Sequence, residues 1–521
     1  MQCRAERGLT EKMATPIYST TGDATRNPLP AIAIMAFAVI AGLVALLMMS
    51  GASLGIPYPY LLPWLFALAV VMAIPLIILK RRGKFTLADP IIFATLSYFY
   101  PAFVLGGLSL AAGFSNPYFL AFVQDPQINY PFTVLIIILG YIGLAVGYFL
   151  PIGRHIGAFF ERHLPKADYA PDNFAIPGSV LLVLGIGNTA IALGLGLIGF
   201  QRASEIGTYD GLIFLTTLFW LEASFVLWFI IFSRQNFDVR SAVLLVLLGA
   251  TALSKALYAG NRGSVIQIFI VIALAYTLSG RKFHLKQSVF AGVVLTVALL
   301  LGTIYGTTFR NVKGDESASN FGSYSGNIIE TLDKIGSDAQ FSTLNSGFNT
   351  FAERIDLVSS LAVVVSNYEQ LAPYEESYGL DNNIVKDLSS FMIPRVLWPD
   401  KPLASEPRQY SDLYFNYSEN SFGITPMGDL IRNFGPIGVP IGMLLIGLLL
   451  RVLYRTFVED QKIILWRAAI YFMILTSVSY ESFYASIIPY GFKVGTTATV
   501  GVLLLIFMAR ALGAKKSPAV Q

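Results

Sequence analysis

Arginines are the side chains whose placement first suggests chemistry. Arg202 lies in Phe200-Gln201-Arg202-Ala203-Ser204-Glu205, Arg262 in Tyr258-Ala259-Gly260-Asn261-Arg262-Gly263-Ser264, and Arg310 just beyond an apolar run. Arg354, Arg395, Arg408 and Arg432 follow within one long polar stretch, about residues 305–438, in an otherwise apolar chain. A guanidinium keeps its charge at any physiological pH and presents a planar fork of donors that matches phosphate oxygens. Several converging on one cavity would hold a diphosphate without a metal. Taken singly, each is more simply an interface arginine paired with an acid or a lipid phosphate. Arg262 stands apart because Gly260 and Gly263 allow close backbone approach in a tight turn between two apolar runs, which would hold the side chain at membrane-surface depth. Arg395 is next, since Pro394, Pro399 and Pro402 restrict the backbone around it.

The same stretch supplies candidates for the remaining roles. Asp429, with Glu406 and Asp400 as alternatives, is placed to take a proton from a hydroxyl at the membrane face. Lys401, Arg408, Arg432 and Asn433 are candidate substrate contacts, as is Arg202. Pro399-Asp400-Lys401-Pro402 alone would read as a turn. Residues 349–368 read as an amphipathic helix, with Phe351, Ile355, Val358, Leu361, Val365 and Tyr368 at helical spacing and Glu353, Arg354 and Asp356 on the polar side. That pattern predicts a helix on the membrane surface over the mouth of a site; packing against the spans is the plainer alternative. His155, His163 and His284 fall in basic loops and read as solvated. The single cysteine, Cys3, sits on a polar tail and excludes a disulfide or a cysteine-based zinc site.

The elements that must position these residues follow from composition. In 521 residues, 55% are hydrophobic and 13% charged, against about 25% charged in soluble domains. The chain reads as an all-α polytopic membrane protein. A net charge of +4 is too small to suggest a nucleic-acid partner, and membrane lipids are the partner the basic clusters imply. With about 20 apolar residues per crossing, spans are expected near 30–50, 60–79, 90–112, 131–150, 176–199, 211–233, 241–258, 263–279, 287–306, 437–456, 463–482 and 494–511, about 12 in all. Lys80, Arg81, Arg82 and Lys84 follow the second; Arg154, Arg162 and Lys166 the fourth; Arg234 and Arg240 the sixth. Arg281, Lys282 and Lys286 follow the eighth, Arg451, Arg455 and Lys462 the tenth, and Arg510, Lys515 and Lys516 the twelfth. The loops at 51–59 and 113–130 carry neither Lys nor Arg. The positive-inside rule then puts both termini in the cytoplasm. The expected organisation is a cytoplasmic tail (1–29), spans one to nine (30–306), a long external loop with amphipathic helices (307–436), spans ten to twelve (437–511) and a cytoplasmic tail (512–521). Glu222, Lys255, Glu481 and Lys493 are ionisable residues within spans, where a charge is a functional candidate by default.

Gly260-Asn261-Arg262-Gly263 after an apolar run, Ile393-Pro394-Arg395 leading into Trp398-Pro399-Asp400-Lys401-Pro402, and Asn433-Phe434-Gly435-Pro436-Ile437-Gly438 entering a span together resemble the O-antigen polymerase (Wzy-type) family of oligosaccharide repeat-unit polymerases. The resemblance covers about Phe200 to Arg451. It implies a membrane glycosyltransferase of the C type, in a bacterial inner membrane, that moves a growing glycan from undecaprenyl diphosphate onto the terminal sugar of another lipid-linked unit in surface polysaccharide synthesis. It implies no metal or other cofactor, and a chain-length regulator as a protein partner. On it, Arg262 and Arg395 would bind or polarise the donor diphosphate, with Arg202 and Arg432 completing the positive pocket. The related ligases use an external histidine, which is missing here, and the loop Gly51 to Tyr60 lacks the acid usual in C-type mannosyl- and oligosaccharyltransferases. The rivals are a transporter or flippase for lipid-linked oligosaccharides and a structural subunit of an export complex; no half-to-half repeat supports a carrier.

Overall fold

The computed structural model describes residues 56–515, apart from 116, 196, 199–209, 235, 260–261, 314–320, 338–354, 394–396, 399–400, 402–403, 419–421 and 461. Every regular element among the described residues is helical. In chain order these are α1 (Leu62–Arg81), α2 (Pro90–Ala111), α3 (Pro126–Phe149), α4 (Pro151–His163), α5 (Ala175–Gly194) and α6 (Gly211–Ser233). A hairpin of α7 (Val239–Ala259) and α8 (Arg262–Leu278) is followed by α9 (Leu285–Lys313) and α10 (Phe321–Ser337). Then come α11 (Leu357–Leu371), α12 (Asn383–Ser390), α13 (Pro407–Phe415), α14 (Pro426–Phe457), α15 (Leu465–Ser477) and α16 (Tyr484–Ala511).

Eight of the described helices are long and apolar enough to cross a membrane, and α8, part of α9, and α15 are shorter apolar helices. They fall on the apolar runs marked in the sequence; the run at 30–50 lies outside the described residues. Helix α3 and helix α14 form the closest pair. A Cβ on Gly147 would meet the Leu444 carbonyl oxygen at 2.0 Å, one on Gly143 the Pro440 oxygen at 2.3 Å, and one on Gly447 the Leu144 oxygen at 2.0 Å. Small residues at four-residue spacing let the two backbones touch, which is how helices associate where no water drives them together.

The end of the long polar segment is itself helical. Ahead of the span expected from 437, a helix begins at Pro426, capped by Thr425 through the Gly428 amide. It breaks at Gly435, whose φ of 69° and ψ of −173° suit only glycine, before Pro436 restarts it. Helix α14 is thus a half-helix (426–434) followed by a spanning helix, and the residues placed in an external loop sit in the half-helix.

A correction concerns residues 349–368. Residues 349–354 lie outside the described ones, and α11 begins at Leu357 with the Asp356 carboxylate capping the Ser359 amide at 3.0 Å. Every residue from Leu357 to Val365 is buried, because α2, α3, α13 and α14 surround the helix. Asp356, expected on a polar face, is buried and bonded to the Ser115 and Ser359 hydroxyls. This is core packing, not a surface helix.

The basic loops converge at one end. Lys84 pairs with Glu459 at 3.0 Å and with Asp460 at 3.3 Å, and Arg154 pairs with Asp460 at 2.9 Å. Lys462 pairs with Asp168 at 2.8 Å, Arg234 with Asp172 at 2.7 Å, and Arg281 donates to the Phe232 and Arg234 carbonyls. Arg510 donates to the Tyr169 hydroxyl at 2.8 Å. The basic loops after the second, fourth, sixth, eighth, tenth and twelfth expected spans therefore share one face. Most of the basic stretch after the fourth expected span is itself the helix α4, with Ile152, Ile156, Phe159 and Phe160 exposed as on a helix lying in a membrane interface.

Candidate functional site

At the opposite end of α14 a buried polar cluster joins the segments 372–390, 404–418 and 426–434. Pro436 and Glu459 are separated by 23 residues of helix and turn, about 35 Å at 1.5 Å per residue, enough to cross a hydrocarbon core of about 30 Å. Arg432, whose side chain is 0% exposed, pairs with Glu375 at 2.8 Å and Asp429 at 3.0 Å and donates to the Asn383 oxygen at 3.3 Å. The Asp429 carboxylate also accepts from the Asn383 amide at 3.0 Å and, through its other oxygen, from the Ala485 backbone N–H at 3.1 Å. Asn433 donates to the Asn383 oxygen at 2.7 Å and to the Asp429 carbonyl at 2.9 Å. The Tyr414 hydroxyl donates to Glu375 at 2.9 Å, and the guanidinium lies about 6 Å from the rings of Tyr410, Tyr414 and Phe483. Burial pushes the Glu375 carboxyl above the usual glutamate range, and Arg432 and the Tyr414 hydroxyl pull it back only in part. The Tyr410 hydroxyl, Arg432 Nε and Asn433 Oδ1 are buried without a hydrogen-bond partner among the described residues.

This geometry changes the roles of two residues. Asp429 is fully buried with both oxygens engaged, so in this arrangement it is not an accessible base. Arg432 is committed to two carboxylates and offers no open fork to a phosphate. Both, with Asn433, tie the half-helix of α14 to α12 and to the start of α16. Glu375, Asn383 and Tyr414 complete the cluster and were not singled out from the sequence; Asn382, next to Asn383, adopts φ 46°.

The other candidates fall in two groups. Arg408 is exposed on the first turn of α13, with no ion pair among the described residues. Glu406 is half-buried beside it. Lys401 donates to the Ile393 carbonyl at 2.9 Å, which ties the loop to its own start, and the Ser405 amide donates to Asp387 of α12 at 3.3 Å. Burial raises the Asp387 carboxyl, and the Ser405 amide lowers it again in part. Exposed Met392, Ile393, Leu397 and Trp398 give the loop an apolar face suited to a membrane interface. Arg262 is the first residue of α8. Arg202, Arg395 and Asp400 lie outside the described residues, as does Arg354. His155 and His163 are exposed on α4, each with its Nδ1 at 2.8 Å from a carbonyl of its own helix. Among the described residues no group of His, Cys, Asp and Glu could hold a metal ion.

Spanning helices that pack through glycines, one of them broken beside a buried ion cluster, define a helical membrane protein. Residues 187–458, more than half of the chain, match the family described as a domain of unknown function (DUF8712), and the chain belongs to that family. No curated protein and no solved structure matches it.

Proposed function

We propose that this protein lengthens a lipid-linked oligosaccharide, transferring a growing glycan from undecaprenyl diphosphate onto the terminal sugar of another lipid-linked repeat unit. The observation that carries the reading is the packing of the long polar segment. Its described residues between Asp356 and Asn433 are built into the helices around a buried ion cluster, at the end away from the basic loops, as a fixed cap needs to be. Such a cap would hold Arg408 at the membrane surface, where the phosphates of a lipid carrier lie. On this reading the basic end faces the cytoplasm, twelve spans cross a bacterial inner membrane, and the cap faces outward.

In the reaction, a hydroxyl of the acceptor sugar attacks the anomeric carbon of the donor glycan. The anomeric C–O bond to the diphosphate breaks, and the diphosphate leaves on its polyprenol with the bonding electron pair. The hydroxyl proton passes to solvent or to a carboxylate at the site, for which Glu406, half-buried rather than buried, is the candidate. Arg262, Arg395, Arg408 and Arg202 are assigned to the leaving diphosphate, whose growing charge they would stabilise, and Lys401 to closing the loop over it. Asp429, Arg432 and Asn433 are positioning residues on this account. Arg262→Ala and Arg395→Ala should each abolish lengthening in a membrane assay with lipid-linked repeat units while the protein still inserts; full activity in both would refute the roles.

A second reading rests on the break at Gly435 and on Glu222, since broken helices and buried acids within spans are common in carriers. It makes the protein a flippase for the same lipids, which would move them across a bilayer without joining them.

A further inference from the structure

Helix α15 stops short of the height that its neighbours reach. It begins at Leu465, at the basic end, where Trp466 and Arg467 donate to the Ala167 and Pro165 carbonyls, and it ends at Ser477 after 13 residues. That is about 20 Å of rise, against a hydrocarbon core of about 30 Å. The segment 478–483 that joins it to α16 is not helical. Three other spans give its depth. The Tyr480 carbonyl accepts from the Tyr98 hydroxyl of α2, and the two rings stack with centroids 5.3 Å apart. Phe99 packs on Tyr480 and on Tyr141 of α3, whose hydroxyl donates to the Met72 carbonyl of α1 at 3.3 Å. Tyr98 stands eight residues from Pro90, Tyr141 eight from Phe149 and Met72 nine from Arg81, each about 12–14 Å along its helix from the basic end. Arg82, over the Phe149 ring, marks that end. Tyr480 therefore lies near mid-membrane, and Phe483 reaches the underside of the cap at Tyr410.

Non-helical backbone persists at such a depth only where protein buries it or where it lines water. Tyr480 and Phe483 are buried. Glu481 is exposed, and its carboxylate makes no hydrogen bond or ion pair with the described residues. A carboxylate turned to hydrocarbon is costly, so the exposed side of this turn faces water. The polar groups around it are negative or neutral. The Ser482 hydroxyl donates to Ser479 Oγ at 3.0 Å, and α15 points the negative end of its dipole at the segment. Lys493, exposed further along α16, forms no ion pair with Glu481.

We infer that the turn 478–483 lines a narrow water-filled cleft beneath the cap, and that Glu481 makes this cleft a site for small cations. The carboxylate, the two serine hydroxyls and the C-terminal carbonyls of α15 supply oxygens only, which suits a cation and repels an anion. The inference is independent of whether the protein lengthens glycans.

The test is thiol labelling of the full-length protein in lipid nanodiscs, with Cys3→Ser so that an introduced cysteine is the only thiol. Ser482→Cys should react with small methanethiosulfonates and not with a polyethylene-glycol maleimide, whereas Tyr374→Cys, exposed on the cap, should react with both. At Ser482→Cys a trimethylammonium-bearing reagent should outpace a sulfonate-bearing one by more than it does at Tyr374→Cys. Glu481→Gln should cut that preference about tenfold, as one unit charge a few ångströms away gives at a dielectric between those of protein and water. Ser479→Cys should behave as Ser482→Cys does, and it keeps the test open should the first variant not fold. Folded variants that no small reagent reaches would show a buried segment and overturn the cleft. Polymer maleimide that reacts as freely as at Tyr374→Cys would make the segment a surface turn and overturn it too. A reagent preference that Glu481→Gln leaves unchanged overturns the cation site.

Discussion

Replacing Arg432 by Met should destabilise the protein far more than the loss of its hydrogen bonds alone. The guanidinium is fully buried and bonds Glu375, Asp429 and Asn383 at 2.8, 3.0 and 3.3 Å. Neutral hydrogen bonds are worth about 1 kcal/mol each. Removing one partner of a buried ion pair costs about 3–5 kcal/mol, because the remaining charge has been stranded. Here two carboxylates are stranded: Asp429 keeps the Asn383 and Asn433 amides and the Ala485 N–H, none of them charged, and Glu375 keeps the Tyr414 hydroxyl. The larger figure therefore applies, and the unfolding midpoint followed by tryptophan fluorescence at pH 7.5 should fall by at least about 5 °C. Part of the loss should return at pH 5. Burial already holds the Glu375 carboxyl above the usual range, and without Arg432 it rises further. The folded state then takes up a proton that the unfolded state does not, and stability is gained as pH falls through that window. The neutral triple variant Arg432→Met, Asp429→Asn, Glu375→Gln should recover most of the loss. A midpoint for Arg432→Met within about 1 °C of wild type, or a triple variant no more stable than the single one, would refute the charge argument.

Other perturbations test the remaining features. Burial pushes the Asp89 carboxyl up to about 7, against the lowering effect of the Tyr148 hydroxyl and the Ile91 amide. An acid raised in the folded state contributes stability at low pH that is lost as pH rises from the ordinary aspartate value toward 7. Asp89→Asn should flatten the fall in thermal midpoint between pH 5 and pH 8, and an unchanged slope would remove Asp89 from that role. Gly147→Val should all but eliminate folded protein in size-exclusion profiles, since its Cβ would lie 2.0 Å from the Leu444 carbonyl oxygen; a normal monodisperse yield would show that α3 and α14 can separate. Glu222→Met removes a buried carboxyl with no partner and should raise stability by about 1–3 kcal/mol, read as a higher midpoint; a lower one would mean that the carboxyl has a partner in the membrane.

The spanning helices were legible because a hydrocarbon core imposes a length and a composition that any stretch of sequence either meets or fails. The shared face of the basic loops was legible for a similar reason, since each loop carries its own charge signal. The break in α14 left a local mark, the Gly435-Pro436 pair, although the half-helix before it reads as polar loop. Helix α11 misled because its apolar spacing is that of an amphipathic helix, and only its neighbours on all sides make Ser359 and Ser360 as buried as Val363. The cluster was half legible. Asp429, Arg432 and Asn433 lie within one helical turn or so of each other, whereas Glu375 and Asn383 reach them across 57 and 49 residues of chain. A single sequence carries no trace of such pairings, so the partners that brace Asp429, Arg432 and Asn433 could not be read from it.

The central claim is tested most directly by reconstituting the purified protein in liposomes with a lipid-linked repeat unit on the outer leaflet and following both glycan length and lipid sidedness. The account predicts a ladder of longer lipid-linked glycans, released undecaprenyl diphosphate in equal number to the new linkages, and no ladder with Arg262→Ala. Lipid that crosses the bilayer while its glycan stays one unit long would contradict it.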